Sequence, residues 1–234
     1  PEQIINYLKD QVFTPGPLKG KKALVTAGPT YEPIDPVRFI GNHSSGKMGI
    51  ALAKELQSRG ADVTLVAGPI AVLPELNEIN VVRVNTAAEM FEACRSVFPE
   101  ADLTIMAAAV ADYTPVQVAN EKIKKTGDSL PLELKKTTDI LKSLGAIKTN
   151  KQVLVGFALE TNDERKHALG KLESKNADII VLNSMRDPGA GFGKETNKVT
   201  LFTRDGREFS FDTKPKQAVA ADIADTIIKL YYAQ

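Results

Sequence analysis

The sequence has little of several residue types that mark particular protein classes. Its 234 residues include one cysteine, Cys94, and two histidines, His43 and His167. A single cysteine excludes an internal disulfide, so we expect a reducing, cytoplasmic location. Cys94 falls on an amphipathic helical pattern, which is typical of buried core. Two histidines argue against a Ser-His-Asp triad and against a histidine-rich metal site.

Charge and hydropathy exclude two further classes. The formal net charge is +1, from 30 Lys and Arg against 29 Asp and Glu, so a broad nucleic-acid surface is not expected. No apolar run is long enough to span a membrane, and no signal peptide is visible. The remaining composition, 43% apolar and 25% charged, is that of an ordinary globular protein. We therefore expect neither a nucleic-acid partner nor a membrane.

Helical and extended patterns alternate along most of the chain. We expect a short helix and a linker over residues 1–20, then one domain over residues 21–234. Strand and helix patterns follow in turn over residues 21–28, 47–60, 61–69, 86–98 and 101–113. They return over residues 151–161, 163–176, 177–183 and 216–232. Such a series predicts an α/β fold that is Rossmann-like and doubly wound, with a mainly parallel sheet and helices on both faces.

Two hairpins are predicted beside this alternation. Residues 122–135 contain two short alternating segments around Gly127 and Asp128, with an exposed basic edge that resembles a protruding arm. The second hairpin turns at Asp205 and Gly206. An exposed hairpin is not stable alone, so the arm needs a surface to pack on.

The stretch GNHSSGKMG, at residues 41–49, comes within one residue of the phosphate-binding P-loop pattern. Gly41, Gly46 and Lys47 fit the pattern, but Met48 occupies the position where a serine or threonine hydroxyl should bind magnesium. The preceding strand ends near Gly28, so an insert separates it from this stretch. Three prolines in the insert keep it from being helical. The pattern therefore predicts a phosphate-binding device other than a P-loop.

A helix that begins after Gly46 would supply such a device. Its first backbone N–H groups have no partner within the helix, and the helix dipole adds positive potential there. Ser44 and Ser45 would add hydroxyls to this anion site. The alternative is a serine N-cap with a glycine for close packing. Asn42 favours the anion site, because a costly polar residue beside such a site often has a function.

Four stretches together resemble one family. TAGPTYEPIDPVRFIGNHSSGKMG, AAAVADYTP, EKIKK and GFALET occur in the order and at the intervals of the phosphopantothenate–cysteine ligase family of coenzyme A biosynthesis. The likeness runs from about Lys21 to the C-terminus. In bacteria this domain usually follows a flavin-dependent phosphopantothenoylcysteine decarboxylase in one polypeptide. A chain that starts without methionine suits a segment of such a polypeptide.

The resemblance implies a reaction in two steps. The carboxylate of 4'-phosphopantothenate attacks the α-phosphate of a nucleotide, which releases pyrophosphate and leaves an acyl-nucleotide. The amine of L-cysteine then displaces the nucleoside monophosphate. Bacterial bifunctional members use CTP, and Mg²⁺ accompanies the triphosphate. The family also pairs two such domains, so a homodimer is expected, with the lysine arm reaching toward the active site.

The resemblance also implies roles for particular residues. It makes Asn42 and Lys122 catalytic, with Asn42 acting in the turnover of the acyl intermediate. We assign Ser44, Ser45 and Gly46 to the phosphate of phosphopantothenate; metal ligands stay unassigned. Nucleotide contacts are implied for Met106, Ala107, Ala108, Asp112, Lys122, Thr138, Asp139, Ile140, Leu141, Phe157, Lys171 and Lys175. The segment TTDIL, which carries four of these contacts, replaces the usual Asn-Pro with two threonines.

Several of these residues have structural alternatives that the sequence leaves open. Lys171 and Lys175 are four apart and equally suit a solvated helix face. Lys122 also suits a charged edge strand that blocks aggregation. Phe157 also suits a hydrophobic core. Asp112 suits a cap or turn, although a carboxylate at a strand end in this fold also suits a ribose hydroxyl or a metal.

Three other functions share this fold class. A nicotinamide oxidoreductase would need G-x-G-x-x-G after the first strand, which is absent, and Tyr-x-x-x-Lys is absent too. A P-loop hydrolase is disfavoured by Met48 and by the insert. A non-catalytic nucleotide-binding module would not need Asn42, an anion site and a distant lysine arm together. Pyrophosphate release separates that module from a ligase.

Overall fold

The computed structural model describes residues 16–124, 127–160, 163–184 and 195–233. The predicted N-terminal helix lies outside these ranges. In chain order the strands are β1 (Lys22–Ala27), β2 (Tyr31–Pro33), β3 (Phe39–Gly41), β4 (Asp62–Ala67), β5 (Asn80–Arg83), β6 (Leu103–Met106), β7 (Tyr113–Pro115), β8 (Leu134–Lys136), β9 (Val153–Glu160), β10 (Ile179–Ser184), β11 (Thr196–Thr203) and β12 (Glu208–Pro215). The α-helices are α1 (Lys47–Ser58), α2 (Ala87–Val97), α3 (Ile140–Ile147), α4 (Glu164–Ser174) and α5 (Lys216–Ile227), and a π-helical turn, Ile228–Tyr232, follows α5.

A central sheet joins eight of the strands in the order β12-β11-β10-β9-β6-β1-β4-β5. Neighbours from β5 to β10 pair in parallel, while β11 and β12 are antiparallel. The chain leaves β1 toward β4 on one side, and it leaves β6 toward β9 on the other. The strand order therefore reverses between β1 and β6, which is where ligands bind in open α/β sheets. The predicted doubly wound, mainly parallel fold is confirmed.

Helices cover both faces of this sheet, as the alternation of buried side chains along β1 requires. Val25 and Ala27 point to the face where α1 and α5 pack. Leu24, which immediately precedes Val25, points to the face covered by α2 and α3. A third cluster packs α4 against β10 on the same side as α2. Apolar side chains pack on both faces, so this packing holds the carboxyl ends of β1, β6 and β9 in fixed relation.

Several local predictions are confirmed. Thr86 caps α2 and accepts a hydrogen bond from the Glu89 amide at 3.2 Å, within a capping box. The β11–β12 hairpin turns at Gly206, whose φ is 85°. Cys94 is fully buried in the core, and burial raises the pKa of its thiol to about 12. The thiol is therefore structural.

The small hairpins differ in part from the prediction. The proline-rich insert is not helical, as expected, and forms the β2–β3 hairpin. The hairpin predicted within residues 122–135 is wrong in its pairing. Residues 134–136 pair with β7, at 113–115, and the described residues of the connection at 116–124 and 127–133 contain no strand. Pro131 explains part of this, because it lacks the N–H that a paired strand would donate at that position.

Candidate functional site

Two loops at the β1/β6 switch point are tied together by threonine hydroxyls. Thr26, at the end of β1, accepts a hydrogen bond from the Ala108 amide at 3.1 Å. Thr30 accepts one from the Ala111 amide at 3.0 Å, and both threonines are fully buried. The Thr137 hydroxyl donates to the Ala111 carbonyl at 2.7 Å. These bonds fix the backbone of the loop after β6 at the point where a ligand would approach.

Asn42 follows β3 directly and contacts the loop after β6. Its Nδ2 donates to the Val110 carbonyl at 2.9 Å, and its side chain is exposed at the switch point. A carboxamide has a second N–H and an acceptor oxygen beyond this bond. This hydrogen bond therefore orients the amide and leaves one N–H and the oxygen available to a ligand.

Most of the predicted site residues line one depression, here called the wide cleft. Its volume is about 880 Å³, within the range of small-molecule sites. The predicted residues that it brings together are Asn42, Met106, Ala108, Asp112, Thr138, Asp139, Ile140, Leu141, Phe157, Lys171 and Lys175. They come from five segments that are far apart in the sequence: residue 42, residues 106–112, residues 138–141, β9 and the C-terminal end of α4. His43, to which no role is assigned, also lines the wide cleft.

One wall of the wide cleft carries an ion pair. Asp139 caps α3, accepting a hydrogen bond from the Lys142 amide at 2.9 Å, and pairs with the ammonium of Lys175. Burial pushes the pKa of Asp139 upward, but the hydrogen bonds from Lys175 and the Lys142 amide outweigh it and hold the pKa below its usual value. Lys171 lies one turn before Lys175 along α4. A solvated face alone therefore does not describe these two lysines, because both line the cleft.

Strand β9 shapes the floor of the wide cleft. Gly156 lies against Leu141, and a Cβ at this glycine would come within 2.5 Å of a Leu141 methyl carbon. The absence of a side chain at Gly156 therefore leaves room for Leu141 in the wall of the wide cleft. Phe157 is half-buried and packs against the core while also lining the cleft. Asp112 is exposed at the rim, where its carbonyl accepts a hydrogen bond from the Thr137 amide at 3.0 Å.

A second depression, here called the helix cleft, lies at the start of α1. It holds Ser44, Ser45, Gly46 and Ala107, and its volume is about 150 Å³. Gly46 is the N-cap of α1, with φ of 72° and no side chain capping the helix. The alternative of a serine N-cap is therefore wrong: Ser44 accepts a hydrogen bond only from the Gly46 amide, at 3.3 Å, among the described residues.

Close packing holds the start of α1 against the sheet. A Cβ at Gly49 would lie 2.6 Å from both the Thr26 carbonyl oxygen and the Ala27 Cβ. The absence of this side chain lets the first turn of α1 sit directly over the end of β1. Its N-terminal N–H groups then face the switch point, which is the geometry of an anion site.

Three polar residues in the helix cleft were not predicted from the sequence. Asn183 lies on β10, Asn197 on β11 and Lys216 in the first turn of α5. No motif links them to the stretch at residues 41–49, so only the strand order reveals that they meet. Lys47, which fitted the P-loop pattern, pairs with Glu195 at the rim.

Lys122 lies outside both clefts. Its neighbour Ile123 is tied to the β2–β3 hairpin, donating to Asp35 at 3.2 Å and accepting from Arg38 at 2.9 Å. Arg38 also pairs with the buried Asp35 and, by its hydrogen bonds, holds the pKa of that carboxyl far below its usual range. The Lys122 side chain itself is exposed. These contacts fix the base of the arm against the β2–β3 hairpin.

Metal-binding clusters and membrane-spanning helices are both absent from the described residues. No group of three or more His, Cys, Asp or Glu side chains is placed to hold a metal ion within the described part of the chain. No helix there has the length and apolar character needed to cross a membrane.

Comparison with known families places the chain. The profile of the family described as DNA/pantothenate metabolism flavoprotein C-terminal domain matches residues 18–231. This chain belongs to that family. The match includes every predicted site residue, from Asn42 to Lys175.

Two curated relatives match almost the whole chain. One, named "Cysteine/Cysteine sulfinic acid decarboxylase", from an unknown prokaryotic organism, is 49% identical over 230 residues, which are 98% of this chain and 64% of that protein. The other, the "Coenzyme A biosynthesis bifunctional protein CoaBC" of Bacillus subtilis, is 45% identical over 232 residues, which are 98% of this chain and 57% of that protein. The chain therefore spans less than two thirds of the length of these relatives.

A solved structure agrees with both. The crystal structure of the C-terminal domain of the coenzyme A biosynthesis bifunctional protein CoaBC has a TM-score of 0.78 and 41% sequence identity to this chain. The alignment covers 92% of this chain and 97% of that one. The predicted family and the predicted fold are thus confirmed.

Proposed function

We propose that this chain is a ligase that joins 4'-phosphopantothenate to L-cysteine through an acyl-cytidylate intermediate. The observation that carries the proposal is the shared wall of the two clefts, since Ala108 and Phe157 line both. A nucleotide in one cleft and a phosphate in the other would lie side by side, with Asn42 at the wide cleft's edge. The Bacillus relative, named for coenzyme A biosynthesis, supports this substrate class.

The wide cleft suits the nucleotide. The fixed backbone of Met106, Ala107 and Ala108 presents main-chain groups to a base or sugar, and Ala107 does so from the helix-cleft side. Asp112 at the rim suits a ribose hydroxyl. Lys171 and Lys175 supply positive charge for the triphosphate. Lys175 would then exchange or share its contact with Asp139, because one ammonium carries three donors.

The helix cleft suits a phosphate group. Ser44, Ser45 and Gly46 would receive the phosphate of phosphopantothenate at the N-terminus of α1, where backbone N–H groups favour an anion. Its volume of about 150 Å³ is small, so it suits a phosphate group better than a nucleoside. The carboxylate of the same substrate would then extend past Ala108 toward the wide cleft.

The chemistry needs two bond exchanges. A carboxylate oxygen of phosphopantothenate bonds to the α-phosphorus of CTP, and the bond from that phosphorus to the bridging oxygen breaks to release pyrophosphate. The cysteine amine next bonds to the acyl carbon, whose bond to the phosphate-linked oxygen breaks to release CMP. The amine loses a proton in this second step. Protein cations and N–H groups stabilise the charge on the leaving groups.

Magnesium would enter as the complex of the nucleotide. Hard oxygen ligands suit Mg²⁺, which commonly keeps several waters and binds through phosphates and one or two carboxylates. The residues fit such a role, because Asp112 and Asp139 line the wide cleft. Neither is assigned as a ligand.

Asn42 is the group proposed to act on the intermediate. Its amide is held by Val110, so its second N–H and its oxygen have a defined direction. It would hold the acyl carbonyl or orient the cysteine amine. Lys122 would complete the site from the arm.

Two copies are proposed to pair through the small hairpins. Large apolar side chains stay exposed on and beside the β2–β3 and β7–β8 sheets. They are Val37, Phe39, Tyr113, Val116, Val118, Leu130, Leu132 and Leu134. A group of exposed apolar side chains commonly marks an interaction surface. In the native polypeptide an upstream flavin-dependent decarboxylase domain is also proposed, consistent with the greater length of the relatives.

Decarboxylation is the second candidate, because one relative is named for it. That name applies to a protein of which this chain spans 64%. Removing CO₂ from cysteine needs an electron sink, which is the work of a cofactor. Release of CO₂ from cysteine or cysteine sulfinic acid by the isolated chain would favour this candidate over the ligase.

Pyrophosphate release tests the ligase directly. The chain would be given 4'-phosphopantothenate and Mg²⁺ with CTP or ATP, with and without L-cysteine. We expect release that depends on phosphopantothenate, prefers CTP, and turns over repeatedly only with cysteine. No release with either nucleotide by folded protein would contradict the proposal.

A further inference from the structure

Two helices begin side by side at the helix cleft. α1 starts at Lys47 and α5 at Lys216, and both lysines line the cleft. β1 and β12 run in the same direction through the sheet, so the helices that follow them also run in the same direction. Two positive helix ends and two cations therefore meet at one small depression.

The two lysines are placed differently. Lys47 is exposed and pairs with the exposed carboxylate of Glu195. Lys216 is half-buried, and its Nζ lies 3.4 Å from the Thr196 carbonyl oxygen. Burial lowers the pKa of the Lys216 ammonium; Glu195 raises it, and Lys47 lowers it further. A cation held in such surroundings gains from a nearby anion more than an exposed one does.

The side-chain oxygens of two asparagines in the same cleft have no hydrogen bond to any described residue. Asn197 is 2% exposed, and its Oδ1 has no hydrogen bond in the described part of the chain. Among the described residues, its Nδ2 makes a long contact with the Met48 sulfur, at 3.9 Å. The Oδ1 of Asn183 is likewise buried and without a hydrogen bond to any described residue. Buried polar atoms are normally hydrogen-bonded to protein, water or ligand, so two such amide oxygens in one cleft give a bound molecule contacts to gain.

We propose that Lys216 and Asn197 bind a phosphate group of a substrate against the N-terminus of α1. Lys216, rather than the more exposed Lys47, supplies the cation. Rotating the Asn197 amide by 180° exchanges its two ends and, among its contacts with described residues, loses the one to Met48. Nδ2 then becomes a donor for a phosphate oxygen. Phosphate binding itself does not depend on the ligase reaction; which substrate carries the phosphate rests on the proposed function.

The test uses matched lysine variants of the chain. Lys216→Gln removes the charge, Lys216→Arg keeps it, and Lys54→Gln removes an equal charge from the exposed side of α1, outside the helix cleft. Calorimetric titration would measure the affinity for inorganic pyrophosphate, CTP and 4'-phosphopantothenate, with thermal unfolding as a check on folding. We expect Lys216→Gln to weaken at least one probe by roughly tenfold to a hundredfold, as for loss of a hydrogen bond to a charged group. Lys216→Arg should recover part of this, and Lys54→Gln should stay within about twofold because exposed charges are well screened.

The three probes distinguish the sources of the phosphate. Weakening of CTP and pyrophosphate, with phosphopantothenate unchanged, would place the nucleotide triphosphate in the helix cleft. Weakening of phosphopantothenate alone would place its phosphate there. Asn197→Leu, which keeps the volume and removes the amide, should weaken the same probe as Lys216→Gln.

Unchanged affinity of folded Lys216→Gln for all three probes would overturn the inference. The ligase proposal would survive that result if the wild-type chain still turned over. A chain that binds pyrophosphate through Lys216 but shows no ligation would overturn the ligase proposal and leave the inference standing.

Discussion

The wide cleft and the helix cleft lie side by side but work by different means. The wide cleft presents side chains of both signs, including the Asp139–Lys175 pair, across about 880 Å³. The helix cleft is about 150 Å³ and presents the backbone of α1, hydroxyls and cations. Side chains of both signs can read the shape of a nucleotide, whereas a helix end can only favour negative charge. The comparison teaches that the wide cleft offers charged side chains to a ligand, whereas the helix cleft adds the backbone N–H groups of a helix end.

The largest expected effect tests whether Asn42 acts in chemistry rather than in binding. Asn42→Asp removes the amide donor and sets a carboxylate oxygen against the Val110 carbonyl. Pyrophosphate release should persist, while amide formation falls by roughly a hundredfold or more, as when a stabilising donor is lost from a transition state. Rapid-quench measurement of pyrophosphate and of the amide product would separate the two steps. Normal amide formation by this variant would refute the role.

The second prediction asks whether the arm belongs to the wide cleft. Lys122 is exposed and outside both clefts, so its role requires the arm to approach a bound nucleotide. Lys122→Gln should lower kcat/KM for CTP by roughly tenfold to a hundredfold, as for loss of a charge-assisted hydrogen bond. Lys124→Gln, an equal charge change two residues away, should stay within about threefold because an exposed charge is screened. Equal effects of both variants would show that only the net charge of the arm matters.

The third prediction tests the packing of Gly49 against β1, which positions the N-terminus of α1 at the helix cleft. Gly49→Ala places a Cβ 2.6 Å from Thr26 and Ala27, so α1 must shift. We expect a loss of about 1–3 kcal/mol in unfolding free energy, typical of overpacking. Gly170→Ala is the matched control, because the position that its Cβ would take has no atom within 4 Å and the residue sits inside α4. That change should stabilise by about 0.5–1 kcal/mol. Urea unfolding would measure both, and equal stability of the two variants would contradict the packing.

The smallest effect concerns the ion pair of the wide cleft. The pKa of Asp139 in the folded protein lies below its usual 3.8, so its ionised form stabilises the fold above that pH. This stabilisation is lost as the pH falls through the lowered pKa. Asp139→Asn keeps a capping residue and should cost less than about 1 kcal/mol at pH 7, because the pair is partly exposed.

Urea unfolding at pH 7 and at pH 2–3 would check this prediction. The difference between Asp139→Asn and the wild type should shrink at the lower pH. Asp128→Asn on the exposed arm should show no comparable change between the two pH values. A cost of Asp139→Asn that stays constant with pH would show that the ion pair contributes nothing.

Sequence motifs predicted most residues of the wide cleft because they lie on or shortly after strands. Phe157 lies in β9 and Asp112 in the loop after β6, two neighbouring parallel strands whose carboxyl ends share one edge, while Asn42 directly follows β3. Their roles in the reaction stay predictions. The sequence predicted the part of the helix cleft at residues 44–46 but not Lys216. Lys216 meets α1 only through the packing of α5, which depends on the strand order.

Local patterns failed where tertiary pairing decides the outcome. Strand β5 has four residues, none fully buried, so its alternation of apolar and polar residues is too short to predict a strand. The predicted pairing within the arm is wrong because residues 134–136 pair with β7, which is about 20 residues away in the sequence. The Lys175 contact with Asp139 also joins two segments 36 residues apart, beyond any local pattern.

The most direct test of the central claim follows an oxygen atom. Phosphopantothenate labelled with ¹⁸O in both carboxylate positions would be incubated with the chain, CTP, Mg²⁺ and L-cysteine. Ligation through an acyl-cytidylate must carry one labelled oxygen into CMP and leave the other in the amide product, which mass spectrometry would detect. Amide product formed with unlabelled CMP would contradict the account, because the carboxylate would not have been activated on the α-phosphate.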